Sequence, residues 1–117
     1  MTPSPNPMDT ADPLTLEAFQ RHIRDRYYAT DHARGSAATF LWFMEEVGEL
    51  ATALGNVTKT PTSQPTAQAD ESVRANLEEE FADVMAWLMT LANINDVDMP
   101  AAIRRKYLET GGPSGHK

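Results

Sequence analysis

Two stretches decide how this chain folds: residues 40–54, FLWFMEEVGELATAL, and residues 76–107, NLEEEFADVMAWLMTLANINDVDMPAAIRRKY. In the first, Phe40, Phe43, Met44, Val47, Leu50, Ala51 and Leu54 recur every three or four residues. At ~100° per residue they fall within one apolar arc, the mark of an amphipathic helix. In the second, Leu77, Phe81, Val84, Leu88 and Leu91 repeat in the same way. The spacing predicts helices over 38–54 and 73–94, the first closed by Gly55-Asn56 and the second broken by Asn95-Asp96.

Each helix carries an acid pair three residues apart, Glu46 with Glu49 and Glu80 with Asp83. That spacing puts both carboxylates of a pair on one side of the helix, a turn apart, where like charges repel. Acidic runs on helices are ordinarily solvated faces. Here Glu80 sits about 40° from Val84, inside the apolar arc, with Asp83 about 100° away on the same side. A carboxylate aimed at a core needs a partner. Glu46 and Glu49 border the arc of their own helix, so a facing helix can bring the four acids together. A hard divalent cation is the natural counter-charge, and an all-oxygen set favours Mg²⁺ or Mn²⁺. A di-iron bundle would want Glu-x-x-His pairs, and the histidines stand at 22, 32 and 116, none beside these acids.

Working outward, Leu16, Phe19, Ile23 and Tyr27 predict a first helix to about Tyr28, with Thr15 as its N-cap. Residues 29–36, ATDHARGS, read as a polar connection. Residues 57–72 lack periodicity and hold two prolines, so a flexible loop is expected there. Asp98 is placed to cap a fourth helix with Pro100 in its first turn, running to Gly111. No segment alternates with period two, so an all-α fold is expected. Prolines at 3, 5, 7 and 13 make residues 1–13 an expected N-terminal tail, and GGPSGHK makes residues 111–117 a C-terminal one, leaving 14–110 as the folding domain. So small a domain buries a marginal core, which favours oligomerisation.

The chain has 117 residues and no cysteine, which excludes disulfides, thiolate metal sites and a cysteine nucleophile. A net charge of −7 makes it a poor partner for nucleic acid. No apolar run is long enough for a bilayer, and the N-terminus has no signal-peptide pattern, so a cytoplasmic protein is expected.

The two quoted stretches resemble the MazG nucleotide pyrophosphohydrolases. The family's E-x-x-E on one helix and E-x-x-D on the next correspond here to Glu46, Glu49, Glu80 and Asp83. The glycine of EEVGEL, the Ala-Asp-Val after the second acid, Leu-Ala-Asn at 91–93, Asp98 and Lys106 match as well. The resemblance implies a four-helix MazG-like bundle completed by dimerisation, as a homodimer or dimer of dimers. It also implies Mg²⁺-dependent cleavage of a nucleoside triphosphate to the monophosphate and pyrophosphate, with a role in cleaning the nucleotide pool.

On this reading Glu46, Glu49, Glu80 and Asp83 hold the metal, and Glu45 and Glu46 serve catalysis. Lys106 and Arg34 are expected on the phosphates, and Trp87 and Asn93 on the nucleoside, although a lone basic residue is ordinarily a solubility group and a tryptophan ordinarily a core anchor. Trp42 shares the acidic face of its helix and ranks lower. Asn93 equally suits capping the end of its helix. Two other functions compete: phosphoribosyl-ATP pyrophosphohydrolase, which shares the acidic pattern, and a non-catalytic helical module using its acids as an interaction face.

Overall fold

The computed structural model describes residues 12–59, 67–109 and 111, and the described residues contain helices and no strand. α1 spans Leu16–Lys59, α2 Ala67–Ile94 and α3 Met99–Ile103, and a π-type turn follows over Arg104–Leu108. The all-α expectation is met. The chain divides into two units, Met1–Ser36 with Met89–Lys117, and Ala37–Leu88.

In the first unit α1 begins where the sequence predicts, with the Thr15 hydroxyl accepting the Ala18 N–H at 3.0 Å. Its end corrects the sequence reading. Residues 29–34, expected as a connection, continue the helix, and only Gly35 leaves helical geometry, at φ 83° and ψ 168°. That conformation is open essentially to glycine alone. The polar residues before it lack an apolar stripe, yet Ala29, Ala33 and Arg34 favour helix, and Arg34 meets Asp31 one turn back at 3.2 Å.

The same unit is fastened by amides. Gln20 donates from Nε2 to Asn93 Oδ1 at 3.1 Å and to the Val97 carbonyl at 2.7 Å, while its Oε1 accepts the Met99 N–H at 3.0 Å. Asn93 Nδ2 donates to the Gln20 carbonyl at 3.2 Å. The unit's core lies beside this clasp, with Ile23, Met89 and Ala92 buried. α2 closes in a Schellman-type turn: Val97 N–H reaches the Ala92 carbonyl at 2.8 Å and Asp96 N–H the Asn93 carbonyl at 3.2 Å, with Asp96 left-handed at φ 55°. Asp98 then caps α3, accepting the Ala101 N–H at 3.1 Å, with Pro100 in the first turn as predicted. The fourth helix is not uniform, because at Arg104 the α-ladder widens: the Glu109 N–H bonds five residues back to the Arg104 carbonyl at 2.9 Å.

In the second unit the later part of α1 pairs with the earlier part of α2. Trp42 meets Trp87 while Glu46 meets Glu80 and Asp83, so the two run antiparallel. Thr39, Ala53 and Leu77 are buried here, and Phe43, Leu50 and Val84 half-buried. The long loop needs correction at both ends: α1 continues through Gly55-Asn56 to Lys59, and α2 starts at Ala67, six residues before the predicted 73. The helix carries on past residues that normally stop one, and the Thr58 hydroxyl donates back to the Gly55 carbonyl at 2.9 Å. Ala, Gln and Glu at 67–71 are good helix formers without an apolar stripe, which is why pattern reading missed them. Residues 60–66, and nearly all of both expected tails, lie outside the described residues.

Candidate metal centre

Helical spacing aims the acids. On α1, Trp42, Glu46 and Glu49 lie within about 60° of one another, and on α2, Glu80, Asp83 and Trp87 do the same. The antiparallel pairing sets these two sectors against each other. One carboxylate oxygen from each of Glu46, Glu80 and Asp83 falls within 4.8 Å of the others. Glu49, more exposed, lies within hydrogen-bonding reach of both Glu46 and Glu80.

These carboxyls are not comfortable without a cation. Glu46 Oε2 and Glu80 Oε2 are buried and have no hydrogen-bond partner. Burial, then the charges of Glu49 and Asp83, pushes Glu46 up to about 7. Glu80 is raised from the ordinary carboxylate range by burial first and by the same two neighbours second. Each effect disfavours the ionised form, and a divalent cation seated among the oxygens would offset them by its own charge. The donor set is all oxygen, it converges, and two of its buried atoms are orphaned, so the residues fit a hard divalent cation.

Beside the acids Trp42 and Trp87 stack, with ring centroids 5.9 Å apart and planes 16° off parallel. Trp87 is half-buried, whereas Trp42 is 52 % exposed. The expectation that tryptophans anchor the core therefore fails for Trp42. Its position four residues before Glu46 was the available signal, since it put the ring on the acidic side of the helix rather than the apolar one.

The other candidate residues are not gathered into this cluster. Glu45 is exposed and points about 100° away from Glu46 around the helix. Arg34, Asn93 and Lys106 belong to the first unit. Arg34 pairs with Asp31, Lys106 Nζ lies 5.8 Å from the Tyr107 ring centroid, and Asn93 is 3 % exposed with both amide atoms bonded to Gln20. Sequence reasoning missed Gln20, because its partner stands 73 positions away. Among the described residues no helix is long and apolar enough to cross a membrane.

No curated protein matches the chain. The profile of the MazG nucleotide pyrophosphohydrolase domain matches residues 34–107, a span that takes in all four clustered acids and both tryptophans. That match covers more than half of the chain, and it contains the helical stretches that build the acidic centre: the protein belongs to the MazG nucleotide pyrophosphohydrolase family.

Proposed function

We propose that this protein is a Mg²⁺-dependent hydrolase that cleaves nucleoside or deoxynucleoside triphosphates to the monophosphate and pyrophosphate, removing unwanted nucleotides from the pool. One observation carries the reading: Glu46 and Glu80, whose carboxylates converge with that of Asp83, each keep a buried oxygen without a hydrogen-bond partner. A polar pair so costly to leave unmatched is best explained by a cation.

Glu46, Glu80 and Asp83 would hold Mg²⁺, with Mn²⁺ as the alternative, and Glu49 would complete the set from the exposed side. The ion supplies positive charge for the phosphate oxygens and makes water a better acid. Around it the chain's own groups have separate tasks. Glu46 or its neighbour Glu45 serves as the base that takes the proton of the attacking water. The repulsive acids orient a triphosphate by rejecting any approach that is not cation-bridged. Lys106 and Arg34 hold the terminal phosphates, Arg34 exchanging its bond to Asp31 for the substrate. Trp87 contacts the nucleoside. Asn93 is better explained by its clasp with Gln20 than by a substrate contact.

The functional unit in this proposal is a homodimer or dimer of dimers, which completes the four-helix arrangement. Exposed Phe40, Met44, Leu54, Phe81 and Met85 support it. On both helices these lie away from the acid-and-tryptophan sector, so a second copy can cover them without covering the carboxylates.

The test is product analysis with a γ-labelled triphosphate and Mg²⁺. Label in pyrophosphate, with the monophosphate appearing in step, is expected. Label released first as phosphate, with diphosphate accumulating, overturns the reading in favour of an ordinary phosphatase. Turnover of phosphoribosyl-ATP alone would move the chain to that related activity.

A further inference from the structure

We infer that Trp42, backed by Trp87, is the surface on which the nucleobase stacks, and that the protein therefore selects nucleotides by the area of the base rather than by its hydrogen-bonding edge. The inference rests on the triphosphate reading above, and it reverses the ranking of the two tryptophans that the sequence suggests.

Three observations converge. The rings already form a parallel stack, 5.9 Å between centroids and 16° between planes, so Trp87 fixes the tilt of Trp42. The outer member is 52 % exposed, leaving a large flat apolar surface open to a ligand. Trp42 precedes Glu46 by four residues and Trp87 follows Asp83 by four. The backbone position of each tryptophan thus stands about one helical turn, ~5.4 Å along the axis, from that of an acid of the cluster on its own helix. A ribose separates an α-phosphate from its base by a comparable reach. A phosphate held at the acids would bring its base to the stack.

The chemistry near the rings indicates the kind of selection. An indole offers one N–H donor and no acceptor, so a tryptophan pair reads little of a base's polar edge. Every base has a π-face, and stacking tolerates them all while favouring larger ring systems. Purine nucleotides should bind more tightly than pyrimidine ones, with little discrimination between the purines. A second copy of the chain is the rival occupant of Trp42, but the exposed apolar residues lie in other sectors of both helices, so association there leaves the ring open.

The chain has two tryptophans, and both are in the stack, so intrinsic fluorescence reports on it directly. An α,β-methylene nucleoside triphosphate added to the full-length protein with Mg²⁺ should quench the emission, and inorganic tripolyphosphate, which lacks a base, should not. Trp42→Ala should weaken nucleotide binding about tenfold, within the range usual for loss of one base–aromatic stack. The same variant should leave the inhibition constant of tripolyphosphate unchanged, and Trp42→Phe should recover most of the loss. Equal weakening for tripolyphosphate and nucleotide, or no weakening for either, overturns the platform while leaving pyrophosphohydrolase activity standing. Absence of triphosphate cleavage by the wild type overturns the enzymatic reading instead, and quenching by a nucleoside monophosphate then decides the platform alone. Should Trp42→Ala fail to fold, the contrast between nucleotide and tripolyphosphate on the wild type decides it.

Discussion

Glu46 on α1 and Glu80 on α2 bring carboxylate oxygens to within 4.8 Å of each other, and each leaves its Oε2 buried without a hydrogen-bond partner. Two acids facing each other in this way oppose folding, and a cation between them favours it. The predictions about the centre follow from that opposition.

Metal should stabilise the protein, because a ligand that binds the folded state alone raises its stability by mass action. Mg²⁺ or Mn²⁺ at millimolar concentration should raise the melting temperature by several degrees, and calorimetry should register binding. Glu80→Gln keeps the side chain's shape and removes its charge. It should lower metal-dependent activity by roughly a hundredfold or more and, without metal at pH 8, melt higher than the wild type. A metal-free variant that melts lower would mean Glu80 is held by something other than repulsion.

The metal-free protein should lose stability as pH rises. Glu46 is held up to about 7, above its ordinary 4.5, so the folded state binds more protons than the unfolded chain between those values. Its stabilising contribution is complete below about 4.5 and is lost as pH climbs through about 7. Glu80 is shifted in the same direction and adds to the slope. Melting temperatures measured in chelator from pH 5 to 8 should fall. Glu46→Gln should flatten the curve, and saturating Mg²⁺ should flatten or reverse it.

The Gln20–Asn93 clasp should matter to stability rather than to turnover. Gln20→Ala leaves the buried Asn93 amide short of partners, at a cost of about 1–3 kcal/mol. Urea unfolding reads this as a lower midpoint. KM and kcat at a temperature where the variant stays folded should change little, and a large rise in KM would return Asn93 to the substrate.

Gly35 has no crowding around the position of a Cβ, so its requirement is conformational alone. At φ 83° and ψ 168°, Gly35→Ala should cost about 1–3 kcal/mol, as is usual for a non-glycine residue in that region. An unchanged melting temperature would show that α1 can run straight through this position.

A lysine placed on the exposed apolar side should dissociate the expected oligomer. Phe81→Lys or Met85→Lys should give a monomer by light scattering at micromolar concentration, with helical circular dichroism retained. A wild type that is itself monomeric under those conditions removes the dimer from the proposal.

The two long helices and their acid pairs were legible in the sequence because amphipathic helix is a local code: the 3.6-residue period of Phe43, Val47, Leu50 or Leu77, Val84, Leu88 appears within a few turns. The caps at Thr15 and Asp98 were legible for the same reason, each bonding a backbone N–H three residues on. Helix without an apolar stripe was not legible. Residues 29–34 and 67–72 are helical without an apolar stripe, and polar composition made them look like connections. What only the tertiary structure decided depends on distant partners. Glu46 and Glu80 become costly because two helices bury their oxygens together. Gln20 becomes structural because Asn93 meets it from 73 positions away. Trp42 was placed by its spacing on the acidic side of its helix, but that it stacks on Trp87 and still stands 52 % exposed depends on the facing helix. Burial is set by which surfaces meet, and no window of neighbouring residues contains that information.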